Sequence, residues 1–167
     1  LKAMARDYEI EEYQILLERL RRDIPGVAVS TDIITGFPGE TEEDFQKTAD
    51  FLKEVRYDFA YLFKYSRRER TRAFALGETM TEEEKGRRLR QLIDQQEVIS
   101  GELYRARIGE IVEVLVEGPA KRPEGWVVGK TRDFKTTVFD GSGLSVGEVV
   151  EVRVVSATSH TLRAERL

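Results

Sequence analysis

The residues best placed to do chemistry are the run Asp32-Ile33-Ile34-Thr35-Gly36-Phe37-Pro38-Gly39-Glu40-Thr41. It stands where a β-branched apolar run gives way to a helical pattern. In α/β folds that end of a strand is where ligands collect. Gly36 and Gly39 permit a tight turn and let backbone approach a ligand closely. Backbone amides at the helix start are expected to meet polar ligand groups, and Glu40 can accept hydrogen bonds from a hydroxyl or amine. A plain βα turn with a Gly-Pro-Gly bend has the same composition, and on composition alone it is the commoner explanation.

Two further clusters carry charge. Arg67-Arg68-Glu69-Arg70-Thr71-Arg72 puts four arginines in six residues, fit either to follow a phosphate backbone or to sit solvated opposite the acids at 78–84. Farther on, Lys121, Arg122, Trp126, Lys130, Arg132, Phe134 and Lys135 interleave cations with aromatic rings. Such a surface stacks bases and meets phosphates. Alternatively, Trp126 and Phe134 fill a core and the cations face water. The single histidine, His160, has no partner nearby in sequence and reads as a surface or edge residue.

Composition narrows the chemistry. The chain has 167 residues, a net charge of −4 and no cysteine. Thiolate metal sites, disulfides and cysteine nucleophiles are excluded, and no metal site is expected from one histidine. A bulk electrostatic pull on nucleic acid is absent, so any binding must be local. Residues 101–167 hold ten bases and ten acids, and the remainder carries seventeen bases against twenty-one acids. The neutral half is also the one with clustered cations. No apolar run is long enough to cross a membrane, and no signal pattern opens the chain.

The elements that must position these residues follow from periodicity. Ile10, Tyr13, Leu17 and Leu20 predict a helix over 9–22, stopped by Pro25-Gly26. Residues 27–34 read as a buried strand. Thr41, with Glu42, Glu43 and Asp44 behind it, caps a helix whose buried stripe is Phe45, Ala49 and Leu52. Residues 57–65 form a second strand, with Phe59 and Phe63 expected in the core. Thr81 and Glu84 make a capping box for a long helix with Leu89, Leu92, Ile93, Ile99 and Leu103 on its apolar face. This α-β-α-β-α order predicts a parallel sheet flanked by helices. Two strands do not complete such a sheet, so the part reads as the end of a larger domain. From about residue 109 the pattern turns all-β, with candidate strands 110–117, 125–131, 134–139, 148–155 and 160–166. Five short strands in so small a space predict a closed barrel of the OB type. The expected fold is thus α/β followed by all-β: a partial (β/α) barrel over 1–104 and a small five-stranded barrel over 105–167.

The run Val29-Ser30-Thr31-Asp32-Ile33-Ile34-Thr35-Gly36-Phe37-Pro38-Gly39-Glu40-Thr41-Glu42-Glu43-Asp44-Phe45 resembles a segment of the radical-SAM methylthiotransferases. Ile34, Gly36, Gly39 and Glu40 match that family's G-x-I-x-G-x-x-G-E-type element, with Asp32 at its first glycine. The resemblance continues in Leu1-Lys2, Met4, Arg6 and Tyr8, in Phe63-Lys64-Tyr65-Ser66 with Arg68 and Thr71, and in Val114 to Gly118 and Gly129 to Arg132 of a TRAM-like β-domain. It implies a cytoplasmic enzyme that uses S-adenosylmethionine twice, once for a methyl group and once for a deoxyadenosyl radical made at a four-iron cluster. Ile34, Gly36, Gly39, Glu40, Tyr65 and Arg68 would line the cofactor, and the β-domain would hold a tRNA anticodon stem-loop. The product would be a methylthio group at C2 of a hypermodified adenosine beside the anticodon. Lys135-Thr136-Thr137-Val138-Phe139 is closer to the tRNA-modifying branch than to the branch acting on a ribosomal protein. Two departures stand out. The family's two 4Fe-4S clusters are held by cysteines in N-terminal domains, and this chain has none, so alone it would be inactive. Arg67 and Arg70 stand where Pro and Gly are usual. A non-catalytic RNA-binding module is the alternative reading.

Overall fold

The computed structural model describes all 167 residues, which fall into two compact units, 1–96 and 97–167. In the first, α1 (Ile10–Asp23), β1 (Ser30–Thr35), α2 (Glu42–Val55) and β2 (Phe59–Lys64) follow in order, and α3 (Glu82–Arg105) then runs through the division between the units. β1 and β2 pair in parallel, Ser30 against Phe59 through Thr35 against Lys64. Thr41 caps α2 as its sequence predicts: its hydroxyl accepts from the Asp44 amide, and Asp44 accepts back from the Thr41 amide. At α3 only half of the expected box forms. The Thr81 hydroxyl accepts from the Glu84 amide, while the Glu84 carboxylate accepts from Arg87 and Arg88.

The strand at 27–34 is neither as early nor as buried as its composition suggests. It begins at Ser30, and Ile34 is 43% exposed. Phe63, expected in the core, is 52% exposed, and Phe59 is half-buried. The cause is the pleat. Asp32 pairs with Tyr61 and Ile34 with Phe63, so these four share one face of a two-stranded sheet that has no covering layer. Thr31, Ile33, Ala60 and Leu62 on the other face are partly buried. The core of this unit lies on the helices, in Phe45, Ala49, Leu52, Val55 and Leu92. Ile93, expected beside Leu92, is exposed, because adjacent helical residues lie about 100° apart.

The second unit is a closed barrel in the order β3-β4-β5-β7-β6, with β3 (Ile111–Pro119), β4 (Trp126–Thr131), β5 (Thr136–Asp140), β6 (Val149–Ala157) and β7 (Leu162–Arg166). All pairings are antiparallel except β5 with β7. Five strands with one parallel closure are the OB-like arrangement expected from sequence. Alternate residues fill the inside: Val112, Val114, Val116, Phe139, Val152, Val154, Leu162 and Ala164. Tyr104, near the end of α3, belongs to this same cluster at 2% exposure. The last turns of α3 therefore complete the barrel core.

Phe139 is fully buried, whereas Phe134, five residues earlier, is 61% exposed with a φ of +65°. Phe139→Ala is expected to cost about 3–5 kcal/mol of barrel stability in urea unfolding, and Phe134→Ala well under 1 kcal/mol. Equal losses would place Phe134 in the core instead.

Candidate functional site

The turn after β1 is held from inside. One Glu40 carboxylate oxygen accepts from the Gly36 amide at 2.8 Å and the Phe37 amide at 3.4 Å. The other accepts from the Thr35 hydroxyl at 3.4 Å and from Arg88 Nη1 at 2.5 Å. The Arg88 side chain is only 5% exposed and also donates to the Thr41 carbonyl, Glu42 and Glu84. Burial works against its charge, but its bonds to Glu40 and Glu84 outweigh that and raise its pKa. Glu84 is correspondingly held down to about 2 by the hydrogen bonds it accepts from Arg87 and Arg88.

The amides expected to meet a ligand are therefore committed. Gly36 and Phe37 donate to Glu40, Gly39 to the Thr79 hydroxyl at 3.0 Å, Glu40 to the Phe37 carbonyl and Thr41 to Asp44. Gly36 is required for a reason other than ligand approach. Its φ is +76°, and a Cβ there would lie 2.6 Å from Cγ of the buried Lys85. Gly39, at φ +88°, has open space around it.

A cavity of about 600 Å³ opens beside the turn, walled by Ile34, Gly39 and Glu40 together with Tyr8, Asp32 and Phe51. Of the six residues the sequence assigns to a cofactor, the cavity brings together Ile34, Gly39 and Glu40. Gly36, Tyr65 and Arg68 are not on its wall. Tyr65 is buried behind Phe37, ring edge to face at 5.2 Å, and its hydroxyl has no hydrogen-bond partner. Arg68 is exposed on the loop, where its carbonyl accepts from Thr71. Arg67 is not free for a phosphate: it lies 3.9 Å over Phe74 and donates to that residue's carbonyl. Lys47 is a wall residue that sequence reasoning passed over, and Asp32 is one that opens the candidate run but is not among the six assigned to a cofactor. Alternation along β1 would have found Asp32, since it shares a face with Ile34.

On the barrel, alternation along β4 sends Val127, Gly129 and Thr131 toward the inside and Trp126, Val128 and Lys130 outward. Their neighbours on β5 are Asp140, Val138 and Thr136, and Val138 pairs in turn with Arg163 on β7. Arg163, which the sequence did not single out, sits over the Trp126 ring at 4.7 Å. Lys130 lies 4.9 Å from the exposed Phe134 ring. Lys121 and Arg122 are exposed on the loop before β4. The β4-β5-β7 exterior thus carries aromatic, aliphatic and cationic side chains, with the acids Asp140 and Glu165 also on it. The β3 and β6 exterior carries Glu113 against Glu151.

Two of the expected cations are placed differently. Arg132 is exposed but ion-paired with Glu113. Lys135 does not face solvent at all: it is 3% exposed, paired with Asp133 at 3.1 Å, and 5.5 Å over the Tyr104 ring. The left-handed backbone at Phe134 shifts the alternation of the turn, which puts Phe134 out and Lys135 in. Asp133 feels desolvation, which pushes its carboxyl up, but the Thr131 hydroxyl bond and the charges of Lys135 and Arg107 outweigh it and hold it below the usual 3.8.

A depressed carboxyl contributes stability that is complete above its unfolded pKa and lost as pH falls through its folded one. Asp133→Asn should therefore cost the barrel about 2–3 kcal/mol at pH 7. The gap to the parent should close as the pH drops below about 4. Unfolding curves at pH 7, 5 and 3 check this; a constant gap would show that the Asp133 charge contributes nothing.

Residues 105–167 match the TRAM domain family. Over 165 residues the chain is 43% identical to the tRNA-2-methylthio-N(6)-dimethylallyladenosine synthase of Alkaliphilus oremlandii, covering 99% of this chain and 35% of that protein. It is 47% identical over 154 residues to the enzyme of the same name from Carboxydothermus hydrogenoformans, covering 92% and 35%. With that of Clostridium botulinum it shares 42% over 167 residues, covering 100% and 37%. The chain spans about a third of the length of these relatives. Residues 105–167 are a TRAM domain, and over its whole length the chain is similar to the corresponding third of those synthases.

Proposed function

We propose that the chain contributes part of an S-adenosylmethionine cavity and the RNA-binding surface of a radical-SAM enzyme. That enzyme places a methylthio group at C2 of a hypermodified adenosine beside the tRNA anticodon. Residues 1–104 carry the cavity and residues 105–167 the RNA surface. The observation that carries this reading is the outer face of β4, β5 and β7, where Trp126, Lys130 and Arg163 lie on neighbouring strands of a TRAM domain. In OB-like barrels the face of the second and third strands is the usual nucleic-acid platform, and here those strands are β4 and β5. Rings there stack on unpaired bases and cations meet phosphates.

The cavity suits the nucleoside end of S-adenosylmethionine. Its volume of about 600 Å³ lies in the range of small-molecule sites, and its wall is largely apolar. Ile34 and Gly39 would lie along the adenosine, with Glu40 setting the turn rather than touching the ligand. Bound there, S-adenosylmethionine would supply the methyl group and the radical chemistry. The chain's own residues do not suit an iron–sulfur cluster, because thiolates hold such clusters and the sequence has no cysteine. The ligands would come from other parts of the protein. A tRNA substrate is favoured over a ribosomal protein because the relatives above are all named for a tRNA adenosine.

Titration of a labelled tRNA anticodon stem-loop against the 167-residue chain tests the RNA surface. Binding should weaken steeply between 50 and 200 mM salt as counterions are released from roughly two to four contacted phosphates. Lys130→Ala/Arg163→Ala should flatten the salt slope by about one to two units. Trp126→Ala should cost on the order of 1–3 kcal/mol of binding while leaving the melting temperature nearly unchanged. Absence of binding at low salt, or a slope unaltered in the double variant, would remove this face as the RNA site.

A further inference from the structure

We infer that Glu40, held by Arg88, acts as a positioning residue that withdraws the Gly36 and Phe37 amides, so that, with the turn's remaining amides satisfied elsewhere in the chain, the cavity selects an uncharged nucleoside face and rejects a phosphate. This deepens the proposed cofactor site and rests on that reading. A glycine-rich turn between a strand and a helix commonly cradles phosphate, because its amides and the helix dipole point at the anion. Here the same geometry is turned inward. The amides of Gly36, Phe37, Gly39, Glu40 and Thr41 all donate to acceptors of the chain itself, and residue 38 is proline and has no amide hydrogen. The polar atoms the turn still offers are carbonyl oxygens, flanked by the apolar side chains of Ile34 and Phe37. Carbonyls accept hydrogen bonds from a base or sugar but repel a phosphate.

The charged wall residues point the same way. Asp32, Glu40 and Asp44 are carboxylates, and the one cation, Lys47, is paired with Glu43 at 2.8 Å. The first turn of α2 is acidic as well, with Glu42, Glu43 and Asp44 answering its dipole from within the chain. Arg88 is the charge that makes this arrangement tenable. It neutralises Glu40 out of solvent and fixes the neighbouring carbonyl of Thr41, so the carboxylate stays under the turn. Lys85, one turn earlier on α3, fills the space behind Gly36 with its aliphatic stem.

The test compares adenosine with adenosine 5′-monophosphate on the 167-residue chain, followed by amide shifts of Ile34, Gly36 and Gly39. The parent should bind adenosine at least about tenfold more tightly than the monophosphate. Glu40→Ala frees the Gly36 and Phe37 amides and one edge of Arg88, so the monophosphate should gain on adenosine by roughly tenfold. Glu40→Gln keeps an acceptor oxygen under the turn and should stay near the parent ratio. A role limited to stability would shift the melting temperature of Glu40→Ala and leave that ratio alone. Equal affinities in the parent, or a ratio unchanged in a folded Glu40→Ala chain, would overturn the inference while leaving the nucleoside site standing. Should Glu40→Ala not fold, the parent comparison decides alone. If neither ligand binds the parent, the cofactor-site reading itself falls, and this inference with it.

Discussion

The ion pair between Glu40 and Arg88 is the contact on which the first unit's geometry depends. Both partners are largely out of solvent, at 13% and 5% side-chain exposure. Taking a guanidinium and a carboxylate from water is costly, and the pair alone does not recover that cost. What recovers it is saturation. Glu40 accepts from two amides and a hydroxyl besides the guanidinium, and Arg88 reaches two further carboxylates and backbone carbonyls. Removing either partner leaves the other buried without its counter-charge, which typically costs about 3–5 kcal/mol. The pair is thus weak as a source of stability and strong as a specifier: of all conformations open to a turn with two glycines, it selects one.

The barrel uses the same device in miniature. Lys135 and Asp133 are paired under Tyr104, with Thr131 bonded to Asp133 and to the Lys135 backbone. These contacts fix the β4-β5 connection, and the fixed connection projects Phe134 outward through a left-handed backbone angle. Non-glycine residues rarely adopt that angle without support. An exposed ring held in a strained conformation, next to Lys130, is what a rigid stacking platform requires. In each unit a buried charge pair orders a loop, and the ordered loop sets what the neighbouring surface displays.

Much of this was legible in the sequence, and the parts that were not share a cause. Periodicity located the helices and strands, because α2 and the barrel strands each present one side to a core. Thr41 and Asp44 announced the start of α2. The barrel's alternation was readable from Val112, Val114 and Val116. Burial on the first sheet was misjudged because β-branched composition reports strand, whereas burial depends on a covering layer that composition does not encode. Phe63 and Ile34 are exposed for that reason. Read by type alone, Lys135 is a surface cation. Only the positive φ at Phe134 reveals that the inward and outward sides exchange there. Arg163 and Arg88 were missed because each acts on a residue far away in sequence, Trp126 and Glu40, and no local pattern marks such a partnership.

The two candidate surfaces treat charge in opposite ways. At the turn, the amides and the nearest cation are directed inward, and carboxylates remain on the cavity wall. On the barrel face, Lys130 and Arg163 stand beside rings on the outside, while acids such as Glu113 and Glu151 lie on the β3 and β6 exterior. Total charge cannot express this distinction: the chain is acidic and its second half neutral, yet cations stand beside rings on one barrel face and carboxylates line one cavity wall. An enzyme handling a nucleoside cofactor and an RNA substrate meets adenosine in both. The base does not separate them, but the phosphate does. On the proposed reading, a turn whose amides are satisfied within the chain and a barrel face that carries Lys130 and Arg163 would sort the two by that group, so that tRNA backbone collects on the barrel and does not compete for the cofactor turn.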